Sequence, residues 1–194
     1  GVFKPIANDT AVSKIIYVLV PFSSFEKARD LPLELLKDKD YLEAGNEYLN
    51  AAAKNPPYKR MENILMYAFP LAPAMQLPNL ASPLKERIYE LRSYESPTEK
   101  FNINKVKMFN EGGEIDLFKK LNFNAIFYAE VIAGSKMPNL MYMTSFENRE
   151  QREAHWKAFG ESPEWKSLKA MPEYQDNVSK AEVILTRAAP YSDY

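Results

Sequence analysis

Glu90 and Arg92 stand two residues apart in the stretch Ile88-Tyr89-Glu90-Leu91-Arg92-Ser93-Tyr94. In an extended strand that spacing puts both on one face with Ile88 and Tyr94, the face expected to turn away from the helices toward an interior, and leaves Tyr89, Leu91 and Ser93 on the other, which suits packing beneath the helices. An acid and a guanidinium turned toward an interior need each other or a ligand, because a lone buried charge is expensive. Tyr128 and Glu130 in a second strand-like stretch, Tyr142 in a third and Arg187 in a fourth are of the types that would complete such a set. Two arrangements suit these residues. One is a polar-lined pocket for a small anionic or phenolic molecule. The other is a structural ion pair, or a face turned to solvent or to a subunit partner.

His155 is the sole histidine. With an ordinary imidazole it can act as a general base near neutral pH, and Tyr94 is the second candidate for proton chemistry. Its neighbours Trp156 and Phe159 suit a helix packed on a sheet, where a histidine is more often structural or at the surface. The chain has no cysteine, which excludes disulfides, thiol catalysis and thiolate metal sites within it. A metal centre would need His155 plus carboxylates such as Glu153, and the spacing does not recommend one. No serine-nucleophile motif, phosphate-cradling loop or dinucleotide fingerprint is present.

The elements that must position these residues are legible. Ile88–Tyr94 is rich in strand formers. Pro97 and Thr98 open a helix. The apolar spacing of Val106, Phe109, Ile115, Phe118 and Leu121 predicts helix over 104–121, with Gly112-Gly113 as a break or bend. Strands are expected over 125–132 and 140–146, joined by a turn at Gly134, Ser135 and Pro138. Helices follow over 148–159 and 164–170 around Gly160–Pro163, then a strand over 182–187. The order βαββαβ is the split-βαβ, ferredoxin-like arrangement.

The first half repeats part of this pattern. At an offset of 124, Phe3 falls on Phe127, Phe22 on Phe146, Asp40 on Glu164 and Tyr41 on Trp165. Ile15–Val20 then matches the third strand and Ile64–Phe69 the last. The first half therefore reads as strand, strand, helix, strand, without its opening strand and helix. The equivalent elements span about 40 residues in the second half, so that much is expected ahead of Gly1. The division expected is an incomplete first module over 1–70, a linker over 71–84 with Pro73, Pro78 and Pro83, and a complete module over 85–194.

Three stretches of the second half resemble the NIPSNAP family. They are Ile88–Tyr94, Leu140-Met141-Tyr142-Met143-Thr144-Ser145-Phe146-Glu147-Asn148, and His155-Trp156-Lys157-Ala158-Phe159 leading to Ser162-Pro163-Glu164-Trp165. Ser162 stands where a capping Asp is usual, and it caps equally well. Tyr41 stands in the first half where the second Trp would be. The resemblance implies an α+β fold of the dimeric α+β barrel group. Two ferredoxin-like sheets would close a barrel, either within one chain as a pseudo-dimer or between two chains as a homodimer.

Composition bounds the function. The net charge is −1, without the basic footprint of a nucleic-acid binder. No apolar run is long enough to span a bilayer. The inventory suits a small-molecule-binding or interaction barrel with no cofactor. The alternative is a cofactor-independent monooxygenase or an isomerase for a small aromatic substrate, using Arg92, Tyr94 and His155. Haem on His155 ranks behind both, since that helix is expected outside the barrel. The absence of cysteine suits an exported bacterial protein without requiring one.

Overall fold

In chain order the strands and helices are β1 (Val2–Pro5), β2 (Tyr17–Val18), α1 (Phe25–Leu35), α2 (Lys39–Ala44), α3 (Asn46–Leu49), β3 (Leu65–Ala68), β4 (Ile88–Glu95), α4 (Glu99–Asn110), α5 (Glu114–Lys120), β5 (Phe127–Ala133), β6 (Asn139–Phe146), α6 (Arg149–Glu161), α7 (Pro163–Ala170) and β7 (Lys180–Ala188). They come from a computed structural model, which describes residues 1–6 and 14–194. Two compact units are formed. One holds Gly1–Leu19 with Ile64–Tyr194, and the other holds Val20–Asn63.

The larger unit is built on one antiparallel sheet of order β2-β1-β7-β4-β6-β5-β3. The sheet curls into a half-barrel. Its middle four strands belong to the second half and run β7-β4-β6-β5, as the βαββαβ order requires. The first half supplies both ends: β1 pairs with β7, and β3 pairs with β5.

Each turn into a helix has a local cause. Gly113 adopts a φ of +87°, a left-handed conformation natural to glycine, and splits the expected helix over 104–121 into α4 and α5. Asn148 caps α6 by accepting from the Gln151 amide. Ser162 caps α7 by accepting from the Trp165 amide at 3.2 Å, with Pro163 in the first turn. The strand expected over 15–20 shortens to Tyr17 and Val18, with Leu19 exchanging backbone hydrogen bonds with Gly1 at 2.8 and 2.9 Å. The proline-rich stretch is pinned rather than loose. Glu147 accepts from the Ala81 and Ser82 amides, and Arg87 donates to the Leu80 and Ser82 carbonyls.

The core divides by strand parity. Ile88, Tyr128, Leu140, Tyr142 and Phe146 pack beneath the helices against Phe109, Ile115, Phe118 and Phe159. On the other face Phe3, Tyr89, Leu91, Phe127, Met141 and Met143 form a second cluster with no helical residue in it. In the smaller unit, α1 is capped by Ser24 and α2 by Asp38, and none of α1 to α3 buries a side chain fully.

Candidate ligand site

Glu90 is fully buried between β4 and the helices. Its two carboxylate oxygens take three donors: Arg92 Nε at 2.5 Å on one, and Arg152 Nε at 2.5 Å with Trp156 Nε1 at 2.9 Å on the other. Arg92 also sits over the Trp156 ring, its guanidinium carbon 3.6 Å from the ring centre. It then donates from Nη1 to Tyr94 Oη at 2.9 Å, and Tyr94 and Tyr142 share a hydrogen bond of 2.9 Å between hydroxyls. The result is a continuous chain from α6 through β4 to β6.

The expected orientation of β4 is reversed. Glu90, Arg92 and Tyr94 do not face a barrel interior; they lie beneath the helices, and Tyr89, Leu91 and Ser93 take the helix-free face. The physical reason lies on α6. Arg152 and Trp156, four residues apart, present a cation and an N–H to that side of the sheet, and only there is the Glu90 carboxylate satisfied.

The other expected residues disperse. Glu130 accepts from Asn102 Nδ2 at 2.7 Å, away from this chain. Arg187 is exposed on β7 opposite Lys4. Tyr128 stacks on Phe118 and Tyr142, and its buried hydroxyl has no hydrogen-bond partner among the described residues. His155 packs its ring against Phe123 and Phe146, with Nδ1 buried and unbonded. That is a structural setting, apart from the Arg92–Tyr94 pair. Among the described residues no group of three or more His, Cys, Asp or Glu is placed to hold a metal ion, and no helix is long and apolar enough to cross a membrane.

Arg152 was not foreseen, nor was a second buried pair, Lys105 with Glu114 at 2.8 Å. Both had a signal. Arg152, Trp156 and Phe159 fall on one helical stripe, and so do Asn102, Lys105 and Phe109. A charge inside an apolar stripe marks a buried partner.

Burial sets the protonation of the chain. It opposes the charge on Arg92, but the nearby Tyr142 and Tyr94 phenols and the Glu90 carboxylate outweigh it, so Arg92 stays charged. Burial raises the Tyr142 phenol well above its ordinary value; Tyr94 adds to this, Arg92 opposes it and Glu114 adds again. Burial, then Glu114, raises Tyr128 likewise. A phenol whose folded pKa is raised stabilises the fold only below its unfolded pKa, and that stability is lost as pH climbs. Above pH ~10 each of the two should cost about 1.4 kcal/mol per pH unit. Urea unfolding at stepped alkaline pH checks this. A stability flat across that range would mean that neither phenol is held protonated by the fold.

An open cleft of about 400 Å³ lies at the end of β5. Its walls are Leu71, Pro73, Ile115, Phe118, Ile126 and Tyr128, with Gln76, Lys119, Asn122 and Asn124 as its polar groups. The wall after β3 is fixed by backbone bonds, Gln76 N to Ile126 O at 2.9 Å and Ala72 N to Phe69 O at 2.9 Å. Of the residues expected to bind a ligand, Tyr128 alone lines this cleft.

A curled antiparallel sheet of βαββαβ order, with helices on one face over a buried acid–guanidinium–phenol chain, defines an α+β module class. The chain belongs to the NIPSNAP family, whose model matches residues 89–193. The chain is similar to several solved structures. A NIPSNAP family protein of Agrobacterium tumefaciens is 18% identical, with 56% of this chain and 98% of that one covered at a TM-score of 0.49. A NIPSNAP-like domain protein of Burkholderia xenovorans is 15% identical, with 56% and 90% covered at 0.47. A protein of Lactobacillus acidophilus named as a candidate monooxygenase is 12% identical, with 96% and 74% covered at 0.55. No curated protein matches the chain.

Proposed function

We propose that this chain is a NIPSNAP-type binding module, made of two tandem ferredoxin-like modules sharing one barrel-forming sheet, that holds a small aromatic anion in the cleft at the end of β5. The cleft carries the reading. About 400 Å³ suits a small ligand, its walls are apolar and aromatic, and Lys119 with two asparagines supplies cationic and amide groups for an anionic head. The tandem arrangement draws support from the sheet, where the first half's β1, β2 and β3 follow the order of β5, β6 and β7.

An oxygenase or isomerase built on Arg92, Tyr94 and His155 is not favoured. Arg92 and Tyr94 are spent on Glu90 and Tyr142, and His155 is packed between two phenylalanines. The likeness to the Lactobacillus acidophilus protein, at 12% identity, is one of fold.

The test is a titration with anilinonaphthalene sulfonate, an aromatic anion, on the chain and on Ala74→Trp. Ala74 is an exposed part of the cleft wall, so a larger side chain there fills the cleft without entering the core. The chain should bind one equivalent and the variant should bind at least tenfold more weakly, about 1.4 kcal/mol. Equal binding by both would remove the cleft from consideration. Native mass spectra before and after denaturation would show any small molecule already retained.

A further inference from the structure

Glu90 is one acid set against two largely buried guanidiniums, so the group carries a positive charge in excess. Arg92 is engaged on several sides, with Nε on Glu90, Nη1 on Tyr94 and its guanidinium over Trp156. Arg152 is not. Its Nε bonds to Glu90, and among the described residues its two Nη groups meet no acceptor. Most of the planar fork of N–H donors on Arg152 therefore stays available. The Arg152 side chain is 19% exposed, which leaves it a path to solvent.

Register brings two more cations to the same face. Cross-strand partners share a face, and Glu90 is opposite Leu185. Arg187, two residues on, is diagonal to Glu90, a separation of roughly 7 Å that a long side chain spans. Across β7, Arg187 is directly opposite Lys4 of β1, and both are exposed. Like charges directly opposite in an antiparallel pair are destabilising. Among the described residues neither Lys4 nor Arg187 has an acid partner. Glu95 and Glu182 have the opposite parity and pair with Lys180 and Lys136. On α6, the exposed Arg149 and Glu153 stand near Arg152 and offset one another. Val183, opposite Arg92 and 43% exposed, and the half-buried Leu185 continue this face as an apolar floor.

We propose that Arg152, Arg187 and Lys4 form a phosphate-binding site on the helix-covered face of the sheet, with the apolar part of the phosphoryl ligand lying on Val183 and Leu185. One dianion relieves both unfavourable arrangements, the excess charge beside Glu90 and the like-charged pair on β1 and β7. The planar fork of a guanidinium matches phosphate oxygens two at a time, which fixes orientation as well as energy. A carboxylate would bring one charge to the same place and leave part of the excess unmet. A free phosphate ester and a phospholipid headgroup share this chemistry. The site is on the opposite side of β4 from β5 and is independent of the cleft.

The probe is inorganic phosphate, titrated into the isotope-labelled intact chain at constant ionic strength with chloride as the control, and read by NMR. The expected result is a saturable shift of the Arg152 and Arg187 Nε–H signals and of the Leu185 and Arg187 amides. The double variant Lys4→Gln with Arg187→Gln changes only exposed side chains, and its amide spectrum checks that the fold is kept. It should bind phosphate at least tenfold more weakly, about 1.4 kcal/mol. No saturable shift beyond that of chloride, or equal affinity in the folded double variant, would overturn the proposal. Sedimentation with phosphatidylcholine vesicles, with and without phosphatidic acid, separates the sources. Pelleting with phosphatidic acid that the double variant loses supports a lipid headgroup, and phosphate shifts without pelleting support a free phosphate ester. Anilinonaphthalene sulfonate binding should be unchanged in the double variant, so the cleft is tested separately.

Discussion

Replacing Glu90 with alanine is expected to destabilise the larger unit by about 3–5 kcal/mol, the cost of leaving a buried charge without its partner. The geometry explains the size of the effect. Among the described residues Glu90 is the sole acid bonded to both Arg92 and Arg152, whose side chains are only 16% and 19% exposed. Without it, two largely buried guanidiniums lose their shared carboxylate, and Trp156 Nε1 loses its acceptor. Arg92 would also lose the anchor that holds it on the Trp156 ring and against Tyr94. Removing all three charges together, as Glu90→Leu with Arg92→Met and Arg152→Met, should cost less than Glu90→Ala alone, because an apolar set of similar volume leaves no charge uncompensated. Urea denaturation of the three proteins, the parent chain, Glu90→Ala and the triple variant, measures both differences. A loss below about 1 kcal/mol for the single variant would mean that water reaches the pair and the site is effectively at the surface.

Phe118→Ala should cost a comparable amount, about 3–5 kcal/mol, by cavity formation. Phe118 sits at the centre of the helix-side core. Its ring meets those of Phe109, Phe123, Tyr128, Tyr142, Trp156 and Phe159 at centroid distances from 4.6 to 6.2 Å. These belong to α4, the loop after α5, two strands and α6, so the hole opens where the elements converge and none can close it alone. Tyr67→Ala is the matched control. Tyr67 is 70% exposed, and its loss should change stability by less than about 0.5 kcal/mol. Similar losses for both variants would contradict the placement of the core.

Much of the fold was legible. The alternation in Ile88–Tyr94, the capping residue Ser162 and the pair Gly112-Gly113 each act within a few residues, so their consequences could be read directly. The family resemblance of the second half holds over residues 89–193. What misled was side, not pattern. Alternation shows that Glu90 and Arg92 share a face, but a strand has no preference about which face the helices will cover. The partners that decide it, Arg152 and Trp156, lie some sixty residues on. Arg187 and Glu130 were grouped with Arg92 for their chemical type alone, and register put them elsewhere. The linker was read from its prolines as a stiff connection; what it does as the wall of a cleft depends on the Gln76 pairing with Ile126, a contact between segments fifty residues apart.

In the second half the sequence by itself determined which stretches form strands and helices, and that this half is a NIPSNAP-like βαββαβ unit, because propensity, capping and alternation are short-range effects. The tertiary structure decided which face of β4 is covered, that Glu90 is held by two arginines and a tryptophan, that Lys105 and Glu114 are buried as a pair, and that a cleft opens beside Tyr128. Those are contacts between residues distant in the chain. Their energies depend on burial and register, which exist only once the sheet has assembled.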